Sequence, residues 1–420
     1  MEETKELKKG NKSLIVIILL AILCFGLGGY LTYDIVINKT EKNSDSEKSK
    51  EKKSISKLNP ELENILFFAK KKENIEEMVA SELVAVTKSG EEIKLYEMQC
   101  SQYSCYNSRI NYFDGKVYFI KKTYDEDLSN IIEYEFLSIS LTEGNGKYET
   151  ESIFKYKKEN KGSIIEGFTV FLDKIYFSIL TPAIGLSEQS NRYDIMEYSL
   201  DSKKMERLDF FSWQGGNLNS VKNHLLLVDK NAAGSKHISL YNPLTRITLI
   251  ISQGDVLTSA EDLIIRDGKI AYLTRLESGE VWLEFDVDAL LAHDNEIGGY
   301  KEPWSWNKRI NEEEKVYRTM IFPFKKDYIH FELSEGYLKA NQLSPQEGLS
   351  SKVTEIFKHR SNTEDIWSAS RLSYNTFWVL LYEGDPYSGD YKSYLIDIDK
   401  GTYNEYQIKH YYSNILYYFK

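Results

Sequence analysis

The amino-acid sequence predicts an all-β fold made of repeated four-stranded sheets, and three observations support that prediction. First, the composition favours strands. The 420 residues include 31 tyrosines and 19 phenylalanines, and aromatic and β-branched residues suit a pleated, half-buried surface. Second, one short sequence phrase recurs along the chain. Third, the two ends of the repeated region are complementary halves of a single sheet.

The repeated phrase places a turn-forming residue before a short run of alternating apolar residues. Residues that tolerate positive φ or bond their own backbone favour a tight turn, and apolar residues at i and i+2 predict a strand with a buried face. The turn position is occupied by Gly115, Asp173, Asn223, Gly268, Asp327, Asn375 and Asn414. Two and four residues later stand Val117 and Phe119, Ile175 and Phe177, Leu225 and Leu227, Ile270 and Tyr272, Ile329 and Phe331, Phe377 and Val379, and Leu416 and Tyr418.

The spacing of the copies predicts the architecture. A loop, a second strand, a turn and a further strand follow each of the first six copies, and four strands in about 40–60 residues are typical of a β-propeller blade. The last copy, at 414–419, lacks a second half, and the hairpin at 83–96 lacks a first half. Joining them in one blade closes the ring. We expect seven blades over residues 79–420; six or eight blades, or a β-sandwich pair or solenoid, are the alternatives.

The N-terminal segment predicts one membrane-spanning helix. Residues 13–33 contain no charged side chain, and a helix of that length spans about 30 Å, the thickness of a bilayer core. We expect a cytoplasmic tail at 1–12 and a signal anchor at 13–37 that contacts membrane lipid through 13–33. A cleaved signal peptide is the alternative, although its apolar region is usually shorter. The expected location is the cell membrane, single-pass, with the N-terminus cytoplasmic and the main domain extracytoplasmic.

Two segments are expected between this anchor and the propeller. Residues 38–58 are charged and polar with few apolar side chains, which predicts a disordered linker. Residues 59–78 are expected to form an amphipathic stalk helix. Asn59, Pro60 and Glu61 fit a helix start, and the apolar residues that follow would share one face. These apolar residues are Leu62, Ile65, Leu66 and Ala69.

The repeated strand pattern also carries a resemblance. A turn followed by Val or Ile, Tyr and Phe, as at 117–119 and 175–177, resembles the repeats of bacterial extracytoplasmic β-propellers, including TolB-like proteins. The resemblance extends over residues 79–420 and consists of a strand pattern, not a catalytic motif. It implies the propeller fold and a function in binding.

Charge and motifs exclude several classes of function. The net charge is −11; residues 1–60 carry 11 lysines and 8 acidic residues, so the remainder is strongly acidic, which disfavours nucleic acid. The sequence lacks a serine-hydrolase elbow, a zinc-protease motif and a phosphate-binding loop, and we predict no cofactor and no metal site. Cys100 and Cys105 fit either a small disulfide-closed loop or two free thiols.

Two regions are candidate binding sites. The loops at 181–193 and 382–391 are the longest between second and third strands, which emerge together near the channel mouth. The second loop offers an aromatic, acidic rim for a glycan or a basic peptide, or else covers its own blade. Its residues are Tyr382, Glu383, Asp385, Tyr387, Asp390 and Tyr391. An insertion at 289–315 on the opposite face carries Trp304 and Trp306, either for a partner contact or for packing on the blade.

The function expected from these features is binding. The main hypothesis is a membrane-anchored, extracytoplasmic β-propeller that binds a protein or an envelope polysaccharide and is not an enzyme. The alternative is an extracytoplasmic glycan hydrolase or lyase that uses carboxylates in the propeller channel. A third hypothesis is a structural or sensory subunit of a larger membrane complex.

Overall fold

A computed structural model describes most of the chain beyond residue 58. The described residues are 59–62, 64–72, 82–87, 91–98, 104–105, 109–127, 130–142, 148–157, 163–181, 192–212, 216–230, 234–259, 263–293, 302–311, 321–345, 351–358, 364–371, 375–383, 390–406 and 411–417. The predicted tail, anchor and linker therefore lie outside the described residues. Within the described ranges, no helix has the length and apolar character needed to cross a membrane.

The described residues form a seven-bladed β-propeller. Seven antiparallel sheets of four or five strands follow one another along the chain. The strands are β1 (Ile65–Lys72), β2 (Glu82–Thr87), β3 (Glu92–Glu97), β4 (Ser104–Cys105), β5 (Asn111–Phe113), β6 (Lys116–Tyr124), β7 (Ile131–Ser140), β8 (Thr150–Lys157), β9 (Ile164–Phe171), β10 (Lys174–Thr181), β11 (Arg192–Ser199), β12 (Met205–Ser212), β13 (Asn219–Val221), β14 (His224–Lys230), β15 (Lys236–Asn242), β16 (Ile247–Ile250), β17 (Asp255–Val256), β18 (Ile264–Arg266), β19 (Lys269–Leu276), β20 (Gly279–Asp286), β21 (Asn307–Arg309), β22 (Ile321–Phe324), β23 (Asp327–Ser334), β24 (Tyr337–Leu343), β25 (Ser351–Lys358), β26 (Glu364–Arg371), β27 (Thr376–Glu383), β28 (Asp390–Asp397), β29 (Thr402–Tyr406) and β30 (Tyr411–Tyr417).

Helices are short in the described residues. One α-helix, α1 (Val287–His293), follows β20, and two 3-10 helices lie at Pro60–Leu62 and Pro303–Trp306. The blades are numbered in ring order, and each is given from its first strand outward. They are β30-β1-β2-β3, β4/β5-β6-β7-β8, β9-β10-β11-β12, β13-β14-β15-β16, β17/β18-β19-β20-β21, β22-β23-β24-β25 and β26-β27-β28-β29.

The first strands of neighbouring blades contact one another and so form the inner wall of the ring. β5 contacts β9, β9 contacts β13, and β22 contacts both β18 and β26. Side chains reinforce these contacts. Asn111 Nδ2 donates to the Phe168 carbonyl at 3.2 Å, and Thr169 Oγ1 donates to Ser220 Oγ at 3.2 Å. The second, third and fourth strands of each blade therefore extend outward from this wall.

The apolar core consists of the contacts between blades. Seven clusters of buried apolar residues occur in the described part of the chain, and each joins two neighbouring blades. The second strands are buried on both faces because each lies between two other blades. Members from the two sides of each interface, in ring order, are Phe68 with Val117, Phe136 with Phe177, Tyr176 with Leu227, Leu226 with Tyr272, Trp282 with Tyr328, Phe331 with Phe377, and Phe67 with Trp378.

The predicted turn positions are confirmed in the first four copies. Both central residues of each turn have positive φ, the geometry of a tight hairpin. The pairs are Asp114 and Gly115, Leu172 and Asp173, Lys222 and Asn223, and Asp267 and Gly268. In blade 6 the turn lies one position earlier, at Lys325 and Lys326, and Asp327 already belongs to β23. Asn414 lies inside β30, so its assignment to a turn is wrong.

The two ends of the chain meet in blade 1. β30 pairs with β1, and β1 pairs with β2 of the N-terminal hairpin. The sequence predicts that a strand at 414–419 joins the hairpin directly. In the structure the C-terminal strand is β30, at 411–417, and β1 lies between β30 and the hairpin of β2 and β3. Three N-terminal strands and one C-terminal strand therefore close the ring, which leaves no gap between blades 1 and 7.

That intervening strand replaces the predicted stalk helix. Residues 59–72 hold a 3-10 helix and β1, so the helix expected at 59–78 is wrong there; residues 73–78 lie outside the described residues. The helical pattern left out Phe67 and Phe68, which are 2% and 0% exposed. Phe68 packs towards blade 2 and Phe67 towards blade 7. A continuous apolar run is the signature of a strand buried on both faces.

A polar cluster joins blades 5 and 6. The Glu284 side chain is 1% exposed, lies 3.1 Å from Lys269 Nζ, and accepts a hydrogen bond from the Tyr328 hydroxyl. Arg266 Nη1 crosses to blade 6 and donates to the carbonyls of Lys325 at 2.6 Å and Asp327 at 2.8 Å. Burial and the Glu284 charge raise the pKa of Tyr328 and keep it a neutral donor. This interface therefore combines apolar packing with a paired buried carboxylate.

Gly254 and Gly336 have similar positive φ angles but different surroundings, so replacing each by alanine distinguishes the cost of backbone strain from the cost of a steric clash. Gly254 has φ +75°, and a Cβ there would lie 2.6 Å from the Arg275 carbonyl oxygen; Gly336 has φ +80° with nothing within 4 Å. Gly336→Ala should lower the free energy of unfolding by about 1–2 kcal/mol through strain alone. Gly254→Ala should cost about 1–3 kcal/mol more because backbone must move. Denaturant titration measures both, and equal losses would contradict the close approach at Gly254.

His330 makes stability depend on pH. Its side chain is 3% exposed, and its Nε2 has no hydrogen-bond partner among the described residues. Burial lowers the pKa of His330, with a smaller opposing effect of Glu332. The unfolded chain therefore takes up the proton first, and stability falls as pH drops from about 6.5 towards the lower folded pKa.

His330→Gln should reduce this loss of stability between pH 7.5 and pH 5. The reduction should reach at most about 1.4 kcal/mol per pH unit between the two pKa values. Urea titrations of both proteins at the two pH values provide the measurement. Comparing pH differences cancels any loss of stability that the substitution causes by itself. Identical pH dependence in the two proteins would show that His330 does not carry the effect.

Candidate binding site on the third blade

The end of blade 3 that borders the connection between β10 and β11 carries a group of charged side chains. Residues 182–191 of that connection lie outside the described residues, but the strand ends on both sides are described. Thr181 and Arg192 are register partners at the ends of β10 and β11. The side chains that form this group belong to β10, β11 and β12.

Two arginines share one carboxylate at this position. Asp194 Oδ1 accepts hydrogen bonds from Arg192 Nε and from Arg207 Nη2, each at 2.8 Å. Thr181 Oγ1 donates to the other oxygen, Oδ2, at 3.1 Å. The Asp194 side chain is 10% exposed, whereas Arg192 and Arg207 are 37% and 53% exposed. A mostly buried carboxylate thus fixes two accessible guanidinium groups, which we call the arginine pair.

The strand geometry explains why these residues meet. Arg192 and Asp194 are two residues apart on β11, so their side chains point to the same face of the sheet. Arg207 on β12 lies opposite Met196, which shares that face, and the β11–β12 register shifts between Asp194 and Met196. Phe211 lies opposite Asp194. The Arg192 guanidinium carbon stands 4.2 Å from the centroid of the Phe211 ring, a cation–π contact.

The arginine pair has a net positive charge. Two guanidinium groups and one carboxylate leave an excess of one positive charge, because an arginine remains protonated in proteins. Arg192 Nε and Arg207 Nη2 both bond Asp194 Oδ1 at 2.8 Å. The distance between these two nitrogens is therefore at most the sum of the two hydrogen-bond lengths. Guanidinium groups this close bind anions, and a planar fork of N–H donors matches a carboxylate. The pair lies on the face of blade 3 that packs against blade 2, since Met196 belongs to that interface.

The opposite face of the same strand ends is acidic. Tyr193 points to this face, next to Glu166 of β9; burial, followed by the Glu166 charge, raises the pKa of Tyr193 to about 12. Gly216 N donates to Glu166 Oε2 at 2.8 Å. Asp229 of blade 4 accepts a hydrogen bond from Ser212 Oγ at 3.1 Å. One end of blade 3 therefore presents the arginine pair on one side and the Glu166 carboxylate on the other, where Asp229 of blade 4 is also bonded.

Gly216 is required for the acidic side. A Cβ at this position would lie 2.5 Å from Ser178 Oγ and 2.6 Å from both Cβ and Oε2 of Glu166. The Gly216 carbonyl also accepts a hydrogen bond from Ser178 Oγ. The close approach of the connection between blades 3 and 4 thus holds the Glu166 carboxylate in place.

The structure brings together part of the predicted site on blade 7. Tyr382 and Glu383 end β27, and their register partners Tyr391 and Asp390 begin β28. Tyr382 hydroxyl donates to Asp365 Oδ2 at 3.4 Å, and Glu383 Oε2 lies 3.5 Å from Lys392 Nζ. The structure does not describe Asp385 and Tyr387, nor the side chains of Asp390 and Tyr391. The acidic, aromatic rim stays a prediction.

The two candidate tryptophans have different surroundings. Both lie in the 3-10 helix between β20 and β21, on the opposite face from the connection between β10 and β11. Trp304 is 46% exposed. The Trp306 ring packs edge-on against Phe285, with centroids 6.3 Å apart, and against His293 at 5.9 Å. Trp304 therefore remains available for a contact, and Trp306 covers its own blade.

Cys105 lies in β4, but its side chain and Cys100 are outside the described residues, so the disulfide stays a prediction. Among the described residues, no three His, Cys, Asp or Glu side chains are grouped so as to hold a metal ion.

The loop at 181–193, which was singled out for its length, includes Arg192, but the sequence did not indicate that Arg192, Asp194 and Arg207 would meet. Arg192 and Asp194 form an alternating charged pair at a strand start, which is a common surface pattern. Arg207 reaches them only through the irregular register between β11 and β12. The irregularity depends on the tertiary packing of both strands. The signal that was present in the sequence is the alternation of opposite charges at residues 192 and 194.

Comparisons with known proteins show similarity to solved β-propellers. No protein-family model and no curated protein matches the chain. TolB from Acinetobacter baumannii is 10% identical with a TM-score of 0.38, and the match covers 72% of this chain and 66% of TolB. Uncharacterized protein lmo1340 from Listeria monocytogenes EGD-e is 10% identical with a TM-score of 0.41, covering 81% and 94%. YCF48 bound to D1 peptide is 7% identical with a TM-score of 0.40, covering 73% and 85%. The general resemblance to TolB and other propellers is confirmed.

Double-mutant cycles should distinguish the arginine pair from an ordinary surface ion pair. Arg207→Ala and Asp194→Ala, alone and together, should give a coupling free energy of about 1.5–3 kcal/mol, because the Asp194 carboxylate is mostly buried. The control is Arg246 with Asp209, which are 2.9 Å apart but 62% and 84% exposed. Its coupling should be below about 0.5 kcal/mol. Equal coupling in both cycles, from urea unfolding, would contradict a fixed arginine pair.

Proposed function

We propose that this chain is a membrane-anchored, extracytoplasmic β-propeller that binds a protein or an envelope polysaccharide without catalysing a reaction. The arginine pair is the observation that supports binding. Its two guanidinium groups are accessible, close together and held in place by a buried carboxylate. Strand ends position such groups more rigidly than loops do, so the ordering cost on binding is small.

The sequence supports the anchored arrangement. The uncharged residues 13–33 match the length of a membrane-spanning helix, and residues 38–58 form a charged linker. A flexible linker of this length has a typical end-to-end distance of about 25 Å. The proposed order is therefore cytoplasmic tail, anchor, linker and propeller, with the propeller beginning near residue 59 and not at residue 79. A linker of this kind would leave the blade surfaces accessible to a partner outside the membrane.

Cross-linking on intact cells tests location and binding together. The full-length chain, carrying a C-terminal tag, is treated in its native cells with a membrane-impermeant amine cross-linker and then purified from membranes in mild detergent. We expect the chain to be modified and one partner to be retained. Truncation after residue 410 removes β30 and opens the ring, so the partner should be lost. Truncation after residue 417 keeps β30 and serves as the control.

Each part of the proposal can fail separately in this experiment. A chain that stays unmodified on intact cells, but is modified after lysis, would contradict the extracytoplasmic location. A chain that is modified but retains no protein or polysaccharide would contradict binding. A partner that is retained equally after truncation at residue 410 would show that an intact propeller is not needed.

A further inference from the structure

We propose that the arginine pair binds a single carboxylate of a peptide that carries basic residues beside it. This inference rests on the proposed binding function and names the chemistry of the bound group. The carboxylate is either an acidic side chain or a C-terminus, since both present the same two oxygens.

The geometry of Arg192 leaves its outer donors in a fixed position. Its Nε bonds Asp194, and its guanidinium carbon lies 4.2 Å from the Phe211 ring centroid. Among the described residues, Asp194 is the only acidic partner of Arg192 and of Arg207. The two terminal nitrogens of Arg192 therefore form the outer edge of a rigid fork. A carboxylate matches such a fork with two parallel hydrogen bonds.

Asp194 shows that the two arginines together can hold a carboxylate. Both donate to the same oxygen from different strands, β11 and β12. Asp194 neutralises only one of the two charges. A second carboxylate on the exposed side would neutralise the other, and the Arg192 and Arg207 side chains are 37% and 53% exposed there. The site thus has both the charge and the accessible donors for one further carboxylate.

The charge of the whole domain argues against a polyanion. The chain has a net charge of −11, although residues 1–60 alone contain 11 lysines and 8 acidic residues. A polymer with many negative charges would meet net repulsion over most of an acidic domain. A single carboxylate needs attraction at one position only, and the arginine pair supplies it. The site therefore fits a peptide with one carboxylate and not a polyanionic glycan or nucleic acid.

The acidic side of blade 3 accounts for the basic residues of the peptide. Glu166 lies on the side of blade 3 opposite to the arginine pair, where Gly216 N holds its carboxylate, and Asp229 of blade 4 accepts a hydrogen bond from Ser212 on that side. A peptide that crosses the end of blade 3 would pass from positive to negative charge. Lysine or arginine next to its carboxylate would then complement this order, which also sets the direction in which the peptide binds.

Fluorescence anisotropy with two probe peptides tests the proposal. Both are labelled, acetylated and amidated; one has a glutamate between two lysines, and the other has glutamine in its place. The full-length chain in mild detergent should bind the glutamate peptide about 10-fold more tightly, as expected for a charge-assisted fork. Arg192→Gln and Arg207→Gln should each reduce this preference to about 1. Arg246→Gln, at an exposed arginine paired with Asp209, should leave it unchanged.

The possible outcomes separate the inference from the proposed function. Equal binding of the two peptides by the unsubstituted chain would overturn the inference without use of any variant. Equal loss of preference in Arg246→Gln, or tighter binding of polyglutamate than of the glutamate peptide, would also overturn it. If the partner captured by cross-linking is retained equally by Arg192→Gln and Arg207→Gln, the binding function stands and the arginine pair is not its site. If the unsubstituted chain captures no partner, the proposed function itself fails.

Discussion

Each blade of the propeller buries its apolar side chains against two neighbouring blades. All seven apolar clusters in the described residues lie between blades, so a single blade has no complete core of its own. The ring must therefore close. β1 meets this requirement, because Phe68 packs towards blade 2, Phe67 packs towards blade 7, and β30 pairs along its edge. Without this pairing, blades 1 and 7 would expose apolar surface and an open sheet edge.

Most of the fold could be predicted because the residues that specify each hairpin lie within that hairpin. Turn formers such as Gly115 and Asp173 and apolar residues at alternating positions specify hairpins without reference to distant parts of the chain. β1 was missed because burial on both faces removes the alternation that marks a strand, and the remaining apolar residues fit a helical period by chance. The arginine pair was missed because the Arg207 position depends on an irregular register between two strands. Such a register follows from tertiary packing and not from local sequence.

The same ring also determines where binding chemistry is placed. The packed interior of each blade restrains the ends of its strands. The side chains of Arg192, Asp194 and Arg207 at the ends of β11 and β12 are therefore restrained as well. The Asp194 side chain is only 10% exposed and orients Arg192 and Arg207. On the opposite side of blade 3, Gly216 N orients the Glu166 carboxylate. Adjacent residues of one strand point to opposite faces, so Arg192 and Tyr193 of β11 lie on opposite sides of blade 3, with Asp194 beside the first and Glu166 of β9 beside the second. A propeller blade can thus present an ordered charge pattern at its strand ends.

Hydrogen exchange can show whether β30 closes the ring in solution. Exchange of the full-length chain, followed by mass spectrometry of peptides, compares β30 (Tyr411–Tyr417) with β9 (Ile164–Phe171), another inner strand. We expect similar protection for the two strands, because β30 is paired with β1 along its length. Exchange of β30 at the rate of an unstructured peptide, while β9 stays protected, would contradict a ring closed by the C-terminal strand.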